Sequence, residues 1–528
     1  MRHFNYLLLS LFLLFFAACN TTENQVKTDL FKQIPPQSSY MFKVNKLQAL
    51  QKTNPLIFDT YLDDTDKEFL RQSGLKLPFA IHILQQNSKI KGFIAIGNMP
   101  AIDSVFNGQT TQYEQFDVMQ QSFNKKDYYA TQINDATFIS NKKLFIENII
   151  RDRNDLGQFF NNPNFQKGIK SLDANADMNL ISFLSKLKPD AFYKFDLKLK
   201  PADFGSWQFF DMVSLEEHIA TGLTISETNP GLLQQTFGNI EPQPTTLLNY
   251  VPFAVDQSFV LTFDDFDKFL DNLSKSKEYA PNEAVTDKDI LDGLTGVNFF
   301  RENHNKALVL HLTDVSNFTG EATEKIKEFN NYEIYKFKHS ALIKNYFSII
   351  FPDLNLKFYT VIENQVLLTE NQAYLEKVLN DIQNHAVLSN SETFKALSAE
   401  IPSTSHLLIF KNKLDLKGQK YMMAQTYQID KDNIFTNLIL KNLSGKQHSN
   451  LVEQVVSVPL KDLPNAAPQL VYNHHSKYYN IIYQDDQNNL TVLDLTGKTL
   501  WQTPLKDQII GRIHQVDLFR NRKLQYTF

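Results

Sequence analysis

Two stretches of this 528-residue chain resemble each other closely enough to restrict the folds open to it. YATQINDATFISNKKLFIENIIRD (129–152) aligns with YTVIENQVLLTENQAYLEKVLND (359–381). The alignment, with a one-residue gap, pairs Tyr129 with Tyr359, Asn134 with Asn364, Glu147 with Glu376 and Asp152 with Asp381. Similarity of this kind at a long distance along one chain indicates a repeated structural unit.

Three further segments repeat in the same order along the chain. The pairs are SSYMFKVNKL (38–47) with QSFVLTFDDF (257–266), NFQKGIKSL (164–172) with TFKALSAEI (393–401), and LISFLSKL (180–187) with LLIFKNKL (407–414). Four matches in one order favour two tandem copies of a domain, covering 30–240 and 241–447. The alternative is that similar helix and strand composition produced the matches by chance.

Within each predicted copy, the residue pattern favours antiparallel strands combined with helices. FAIHILQQNSKIKGFIAIG (79–97) predicts a hairpin, because two apolar stretches flank the polar turn QQNSK. ATFISN (136–141) and QVLLTEN (365–371) predict strands that end at an Asn able to cap the following helix. Strands and helices alternate without the regular rhythm of a parallel sheet, so the predicted class is α+β.

Residues 1–18, MRHFNYLLLSLFLLFFAA, have the layout of a secretory signal peptide. Arg2 supplies the positive charge, an apolar stretch runs from Leu7 to Phe16, and small residues follow it. That stretch is shorter than the roughly 20 apolar residues that a membrane-spanning helix needs. The chain is therefore expected to be exported and to lose this leader.

FAAC (16–19) resembles the lipobox of bacterial lipoproteins, with Phe16 in the place where Leu is usual. The resemblance implies that the thiol of Cys19 receives a diacylglyceryl group, that cleavage occurs before it and that the new amino terminus is acylated. Cys19 is the single cysteine of the chain, so it can form no intramolecular disulfide. The alternative is an ordinary signal peptide followed by an incidental cysteine.

Acylated Cys19 is expected to hold the protein on a lipid bilayer, because several acyl chains together give stable anchoring. Residues 19–29 would form a short polar tether. In enterobacterial lipoproteins Asp after the lipidated Cys favours the inner membrane, whereas Asn20 here favours the outer membrane. The expected location is the bacterial envelope, with the folded body in the periplasm or at the cell surface.

The C-terminal region, 448–528, is predicted to be all β. APQLVYNHH, YYNIIYQD, NLTVLDL and TLWQTPL are four short strand candidates separated by polar turns, at the spacing of one β-propeller blade. VLDLTGKTLWQTPL (492–505) resembles the repeats of quinoprotein-like propellers, in which an Asp-x-x-Gly turn leads to a strand bearing Trp. Here these residues are Asp494, Gly497 and Trp501. IHQVDLF and KLQYTF predict the start of a second blade, or about one and a half blades in total.

Three explanations for so short a propeller segment stay open at this point. The sequence is incomplete at its C-terminus, the strands pack on the second repeat as an ordinary sheet, or a partner completes them, because an isolated blade exposes its faces and edges. The resemblance carries no quinone cofactor, since so few blades cannot form a central site. The sequence predicts no cofactor and does not indicate an oligomeric state.

Charge and motifs exclude several function classes. The net charge is −5 and acids and bases are mixed along the chain, which argues against a nucleic-acid partner. HExxH, Cys-based zinc patterns, GxSxG, Walker and GxGxxG motifs are all missing from the sequence. The expected protein is therefore not an enzyme, and no catalytic or metal-binding residue is assigned.

Weaker polar patterns have simpler explanations. Asp173, Asn175 and Asp177 begin a calcium-loop pattern, but Met178 and Leu184 occupy the positions that need Gly and Glu, so a polar turn is expected. Two acidic clusters lie beside helix-like stretches, where acids suit a first helical turn; they are Asp63, Asp64, Asp66, Asp264, Asp265 and Asp267.

Among the histidines, only one adjacent pair occurs. His474 and His475 would point to opposite faces of a strand and so would not share a metal ion. His385 and His406 would meet only through the fold. SWQFFDM (206–212) offers Trp207, Phe209 and Phe210 as possible contacts for a sugar or peptide ligand, although aromatic residues of this kind are more often core residues.

The overall layout resembles uncharacterised lipoproteins of Gram-negative bacteria in which a duplicated α+β domain precedes a quinoprotein-like propeller. Propeller lipoproteins of that compartment often act as scaffolds for outer-membrane assembly, so the resemblance implies a non-enzymatic scaffold or assembly factor that contacts envelope proteins. One alternative is a lipoprotein that binds a glycan, peptide or lipid in a cleft between the repeats. A second is a hydrolase with catalytic residues dispersed along the chain.

Overall fold

The structure is a computed structural model of the whole chain. It describes residues 29–50, 61–86, 90–187, 197–214, 218–244, 246–276, 288–320, 324–416, 418–443, 464–465, 467–473, 478–519 and 523–528. The predicted leader, 1–18, and all but the last residue of the predicted tether, 19–29, lie outside these ranges.

Within the described residues the chain forms 26 β-strands, β1–β26. The first ten are β1 (Ser38–Val44), β2 (Phe79–Gln86), β3 (Ile90–Gly97), β4 (Thr110–Tyr113), β5 (Phe116–Phe123), β6 (Lys126–Ile133), β7 (Ala136–Ser140), β8 (Met178–Phe183), β9 (Trp207–Ser214) and β10 (His218–Ile225). The next ten are β11 (Gln257–Thr262), β12 (Leu294–Glu302), β13 (Asn305–Leu312), β14 (Lys325–Phe329), β15 (Tyr332–Lys336), β16 (Phe358–Ile362), β17 (Gln365–Thr369), β18 (Leu407–Leu416), β19 (Gln419–Ile429) and β20 (Ile434–Asn442).

The same residues contain eleven α-helices, several of them a single turn. They are α1 (Asp64–Gln72), α2 (Ile102–Val105), α3 (Lys143–Arg151), α4 (Pro163–Ser171), α5 (Pro201–Phe204), α6 (Leu232–Phe237), α7 (Phe266–Ser274), α8 (Ser316–Gly320), α9 (Ser340–Phe347), α10 (Gln372–Gln383) and α11 (Glu392–Ser398). Short 3-10 helices lie at Leu30–Gln33, Leu47–Leu50, Arg153–Asp155, Leu184–Lys186, Thr246–Tyr250, Lys288–Leu291 and Leu388–Asn390.

The chain divides into two compact units. The first holds the described residues of 29–187 and 199–239 together with Tyr427–Ile439, and the second holds those of 197–198, 240–426 and 440–528. The division at 239/240 lies next to the predicted boundary between 30–240 and 241–447. Tyr427–Ile439 departs from the predicted second repeat, because β20 pairs with β10 of the first unit. The described residues of the predicted region 448–528 group with the second unit.

Strand pairing gives both units antiparallel sheets. The order in the first unit is β4-β5-β6-β7-β3-β2-β1-β8-β9-β10. In the second unit it is β14-β15-β16-β17-β13-β12-β11-β18. Every one of these pairs is antiparallel, which confirms the predicted combination of antiparallel sheet and helices. The predicted hairpin at 79–97 is confirmed as β2 and β3.

Acidic residues begin two helices as the sequence predicts. Asp63 Oδ1 accepts a hydrogen bond from the main-chain N–H of Asp66 at 3.0 Å, and α1 starts directly after Asp63. Asp265 accepts from Lys268 N–H at 2.9 Å at the start of α7. The side chains satisfy main-chain donors that a helix leaves free in its first turn.

The two predicted Asn caps have different outcomes. Asn371 Oδ1 accepts from Tyr374 N–H at 2.8 Å and caps α10, which confirms that prediction. Asn141 does not cap α3: its Oδ1 lies 3.4 Å from Phe93 N, and the helix begins after Lys142 without a side-chain cap. A tertiary hydrogen bond to the neighbouring strand β3 has replaced the local one.

The core of the first unit lies between its sheet and helices α3 and α4. Phe145, Ile146, Ile149 and Ile150 form the buried side of α3, at the spacing of one helical face. Helix α4 packs closely on β9, because Gly168 has no side chain: a Cβ at this position would lie 2.1 Å from the ring of Phe209. Glycine at this point is a packing requirement.

The four predicted C-terminal strand segments are confirmed as strands. They are β21 (Gln469–Tyr472), β22 (Tyr479–Gln484), β23 (Asn489–Leu493) and β24 (Thr499–Pro504), and they form a separate antiparallel sheet in this order. The two following segments contain β25 (His514–Val516) and β26 (Gln525–Thr527), which pair with each other. Asp494 Oδ1 accepts from the main-chain N–H of Thr496 and of Lys498 in the turn before β24.

No helix in the described part of the chain combines the length and apolarity needed to cross a membrane.

Replacing Gly168 with Ala is expected to lower the free energy of unfolding by about 1–2 kcal/mol. Overpacking against Phe209 costs more than the helix gains from the better helix former. Urea unfolding followed by indole fluorescence measures the change, since Trp207 lies in the same core. Lys167→Ala, on the exposed side of α4, is the control and should leave the midpoint unchanged. A Gly168→Ala midpoint equal to that of the control would contradict this packing account.

Candidate functional site

Three residues discussed in the sequence analysis fall outside the described residues. They are Cys19, the predicted lipidation site, and His474 and His475, for which no metal site was predicted. The expectation that acylated Cys19 anchors the chain to a bilayer therefore stays a prediction.

The predicted ligand contacts Trp207, Phe209 and Phe210 are core residues. Their exposed fractions are 2%, 1% and 3%. They lie on β9, which pairs with β8 on one side and β10 on the other. The ring centroid of Trp207 lies 5.0 Å from that of Phe165 on α4. Helix and sheet packing cover these three residues, which agrees with the core role that the sequence favoured and contradicts their possible role as ligand contacts.

The calcium-like stretch is a polar turn. Asp173 Oδ1 accepts from the main-chain N–H of Asn175 at 2.8 Å, whereas Asp177 Oδ1 pairs with Lys46 Nζ at 2.8 Å. The two carboxylates therefore have different partners. Among the described residues, no group of three or more His, Cys, Asp or Glu side chains is arranged to hold a metal ion.

The histidines singled out in the sequence serve separate structural roles. His406 Nε2 lies 2.7 Å from the carbonyl oxygen of Ile240, and burial lowers the pKa of His406. The ring of His385 stacks on that of Tyr478 with centroids 6.2 Å apart. These two histidines have different partners and do not form one site.

A Ser–His contact, which the sequence patterns do not show, lies inside the first sheet. Ser38 Oγ and His82 Nδ1 are 3.1 Å apart, and both residues are buried. Burial lowers the pKa of His82 to about 3, so the ring is neutral near pH 7. A hydrolase dyad needs an open pocket beside its nucleophile. A contact closed off on adjacent strands β1 and β2 does not meet that requirement.

Two shallow cavities are lined by charged side chains. A cavity of about 330 Å³ lies beside Lys126, Asp127, Tyr129, Asn141, Lys142 and Lys143. A second, of about 260 Å³, lies beside Glu302, Asn305, Asn371, Ala373, Tyr374 and Lys377.

Both cavities border ion-pair networks. Lys126 Nζ is 3.2 Å from Asp66 Oδ1, which also accepts a hydrogen bond from Tyr128 OH at 2.8 Å. Lys377 pairs with Glu302 and with Asp381 at 2.8 Å. Lys126 and Lys377 are therefore each already paired with two carboxylates of the protein.

Exposed apolar surface is concentrated in the C-terminal region. Fourteen large apolar side chains are exposed among the described residues, and nine of these lie between 464 and 528. The nine are Leu470, Tyr478, Leu495, Leu500, Trp501, Ile510, Leu518, Phe519 and Phe528. Apolar groups clustered on a surface mark interaction sites more often than isolated ones do.

The C-terminal sheet has only a small buried core. Val471, Ile482, Leu490 and Val492 are its buried cluster, and the side chains that pack against the cluster are only partly buried. Trp501 on β24 lies opposite Val492 and contacts Tyr526 with ring centroids 5.9 Å apart. The apolar face of the sheet thus continues to the exposed strand β24.

The two edges of this sheet differ. At β21, Tyr472 N–H donates to Gln515 Oε1 at 2.7 Å and Gln515 Nε2 donates to Tyr472 O at 2.6 Å, so a side-chain amide closes the edge. At the other edge, all six residues of β24 are exposed. A bulge where Thr499 pairs with Leu493 begins this strand and Pro504 ends it. The free edge of β24 is the surface that we take as the candidate functional site.

Comparisons with protein families, with curated proteins and with solved structures found no match for this chain. The assignment of the site therefore depends on its geometry. Sequence reasoning placed Trp501 in a strand, yet it did not distinguish this exposed residue from the buried Trp207. The signal available in the sequence was the Asp494–Gly497 turn, which predicts the strand that carries Trp501.

His82→Asn is expected to flatten the dependence of stability on acid pH. Because the folded pKa of about 3 lies below the unfolded value of about 6.5, the unfolded state binds more protons and stability is lost as pH falls from 6.5 towards 3. This loss amounts to at most about 1.4 kcal/mol per pH unit. Urea unfolding at pH 7, 5.5 and 4 measures it.

His304→Asn serves as the control, because His304 is exposed in the turn between β12 and β13. The two variants should show different slopes of unfolding free energy against pH. Equal slopes would mean that the pKa of His82 is not lowered in the folded state, which would contradict this account.

Proposed function

We propose that this protein is a non-enzymatic lipoprotein of the bacterial envelope that binds another protein through its C-terminal sheet. Acylated Cys19 would anchor it, in the outer membrane in preference to the inner, and residues 19–29 would tether the folded body. The observation that carries the proposal is the exposed edge strand β24 with Leu500 and Trp501 on it, in the region that holds nine of the fourteen exposed large apolar side chains of the described residues. The proposal includes no catalytic residue and no cofactor.

The proposal includes a tandem duplication of one domain. Its first support is strand order: β11–β18 follow the same pairing order as β1–β8. In the aligned central strands, Met41 pairs with His82 and Ile181, and Val260 pairs with Asn298 and Leu408. The sequence alignment independently matches Met41 with Val260 and Ile181 with Leu408.

A buried contact with a serine recurs at the residue that pairs with Met41 in the first unit and with Val260 in the second. His82 is bonded to Ser38 in the first unit, and Asn298 Oδ1 accepts from Ser258 Oγ at 2.6 Å in the second. Both contacts join the central strand to the strand beside it. The two serines are not matched residues, since Ser258 aligns with Ser39, so the support for common ancestry comes from His82 and Asn298, which occupy the same register position.

The hairpin turns correct the sequence alignment by one residue. Ile133 pairs with Ala136, and Ile362 pairs with Gln365, so each turn contains two residues. The first turn residue has positive φ in both hairpins, 52° at Asn134 and 54° at Glu363. Asn134 therefore corresponds to Glu363 and not to Asn364, and Tyr129 corresponds to Phe358. The gap is unnecessary, which strengthens the proposed duplication.

We also propose that β21–β24 represent one propeller blade. Four sequential antiparallel strands with the tight Asp494–Gly497 turn before the Trp-bearing strand support this identification. A blade in a propeller is covered by neighbouring blades on its faces. In this sheet the edge strand β24 is exposed, whereas Leu505, Ile509, Ile513 and Tyr526 of the same chain pack on the buried cluster.

Cys19→Ser is expected to release the protein from membranes, because acylation needs the thiol. After ultracentrifugation of lysed cells, the native protein should sediment with the membranes and the variant should stay in the supernatant. Labelling with an alkyne analogue of palmitate should mark only the native protein, since the chain has a single cysteine. Labelling of the variant, or its retention with the membranes, would contradict anchoring through Cys19.

A photo-crosslinking residue at position 500 should capture a protein partner in the intact envelope. Leu500 is 43% exposed on β24, so a benzoylphenylalanine side chain there would lie at the proposed interface. The matched control is position 435, because Phe435 is 49% exposed on β20 of the first unit. A discrete adduct at position 500 alone, assigned by mass spectrometry, is expected. No adduct, or equal adducts at both positions, would contradict a binding role for this sheet.

A further inference from the structure

We propose that β24 binds its partner as an added β-strand, through main-chain hydrogen bonds to an extended segment that carries acidic residues at its ends. This inference rests on the proposed function and specifies how the C-terminal sheet recognises a protein. The site is the free edge of β24, with Gln502 at its centre and Lys498 and Lys506 at its ends.

The hydrogen-bond pattern fixes which groups on β24 face outwards. Leu505 N–H donates to Asn488 O at 3.0 Å, and successive pairs in an antiparallel ladder alternate between bonded and non-bonded. Trp501 and Thr503 therefore bond to β23. The N–H and C=O of Gln502, between them, point away from the sheet.

Within the described residues, no acceptor or donor meets the main-chain groups of Gln502. Its side-chain Nε2 reaches Asp485 Oδ2 at 3.3 Å, which leaves the main chain accessible. At the opposite edge of the sheet, the corresponding main-chain groups do have a hydrogen-bond partner. Tyr472 occupies the equivalent outward position on β21, and the amide of Gln515 bonds both its N–H and its C=O. An extended peptide offers the same pair of groups.

Side chains beside this edge favour an apolar segment. Trp501 is 38% exposed and lies on the face of the sheet that carries Val492, and Leu500 is exposed within the bulge. An added strand would place alternate side chains on this face, where they would extend the small buried cluster. Strand addition of this kind takes affinity from the main chain and specificity from alternate side chains.

Charge argues against a second copy of this chain as the occupant. An antiparallel self-pair that uses the outward groups of both Gln502 residues would place Lys498 of one copy opposite Lys506 of the other. Like charges opposite each other destabilise a strand pair. Residues 495–506 contain these two lysines and no acid, whereas Asp494 and Asp507 lie just outside. A foreign segment with an acidic residue at each end fits this pattern.

Full-length protein in detergent and two synthetic peptides test the inference. Each blocked heptapeptide alternates threonine and valine, and one has glutamate at both ends while the other has lysine. Acrylamide quenching of indole fluorescence reports binding, because Trp501 is exposed and Trp207, the second tryptophan of the chain, is buried. The glutamate peptide should protect Trp501 and bind about tenfold more tightly than the lysine peptide at low salt. No protection, or no preference, would overturn the inference.

Gln502→Pro and Gln502→Ala form a matched pair of variants. Both lose the side-chain bond to Asp485, but only proline removes the outward N–H, and an edge strand tolerates proline at such a position. Gln502→Pro should weaken peptide binding by about tenfold or more, and Gln502→Ala should bind as the native protein does. Equal binding by both variants would overturn main-chain pairing. Lys498→Glu combined with Lys506→Glu should reverse the peptide preference, which keeps the inference testable if the proline variant fails to fold.

The crosslink at position 500 separates this inference from the proposed function. An adduct that is lost in Gln502→Pro and kept in Gln502→Ala supports both. An adduct that persists in Gln502→Pro overturns strand addition and leaves the binding role intact. Failure to form any adduct in the native background overturns both. Dimers of this chain that Gln502→Pro abolishes would show a second copy, not a foreign strand, at β24.

Discussion

Each β-strand of this protein has main-chain N–H and C=O groups along both edges, and the organisation of the molecule depends on which groups form hydrogen bonds with them. Buried N–H and C=O groups must be bonded, because an unpaired one costs about as much as a lost hydrogen bond. β1 is bonded on both sides, by β2 and β8, and the core forms around it. β11 has the same position between β12 and β18. In the C-terminal sheet a glutamine side chain takes the place of a strand at β21, and β24 lacks any such cover among the described residues.

Local structure was largely predictable from sequence, because it depends on residues near each other in the chain. Asp63 and Asn371 cap helices as their positions predict, and the C-terminal segments form strands where alternation of apolar and polar residues predicts them. Asn141 failed as a predicted cap because its side chain is bonded to β3. The pairing of β20 with β10 was also not predictable, since no local pattern in Tyr427–Ile439 encodes so distant a partner.

The candidate site shows the same division between local and distant information. Trp207 and Trp501 both occur in strands with alternating apolar residues, and the sequence around them gives no reason to treat them differently. Burial separates them: β9 has strands on both sides and α4 above it, whereas β24 has a strand on one side only. The sequence around each tryptophan therefore predicted a strand in both cases. Whether the side chain is buried or exposed depends on the strands and helices that pack beside it in the fold.

The bulge and Pro504 at the two ends of β24 have a consequence for assembly. A long, regular, unprotected edge invites open-ended growth, in which each added strand presents a new edge to the next. Here the ladder is interrupted at Thr499 and cannot continue through Pro504, which offers no N–H. The proposed docking site is therefore only a few residues long. An edge of this length would limit strand addition to one short segment and would favour a finite complex over a fibre.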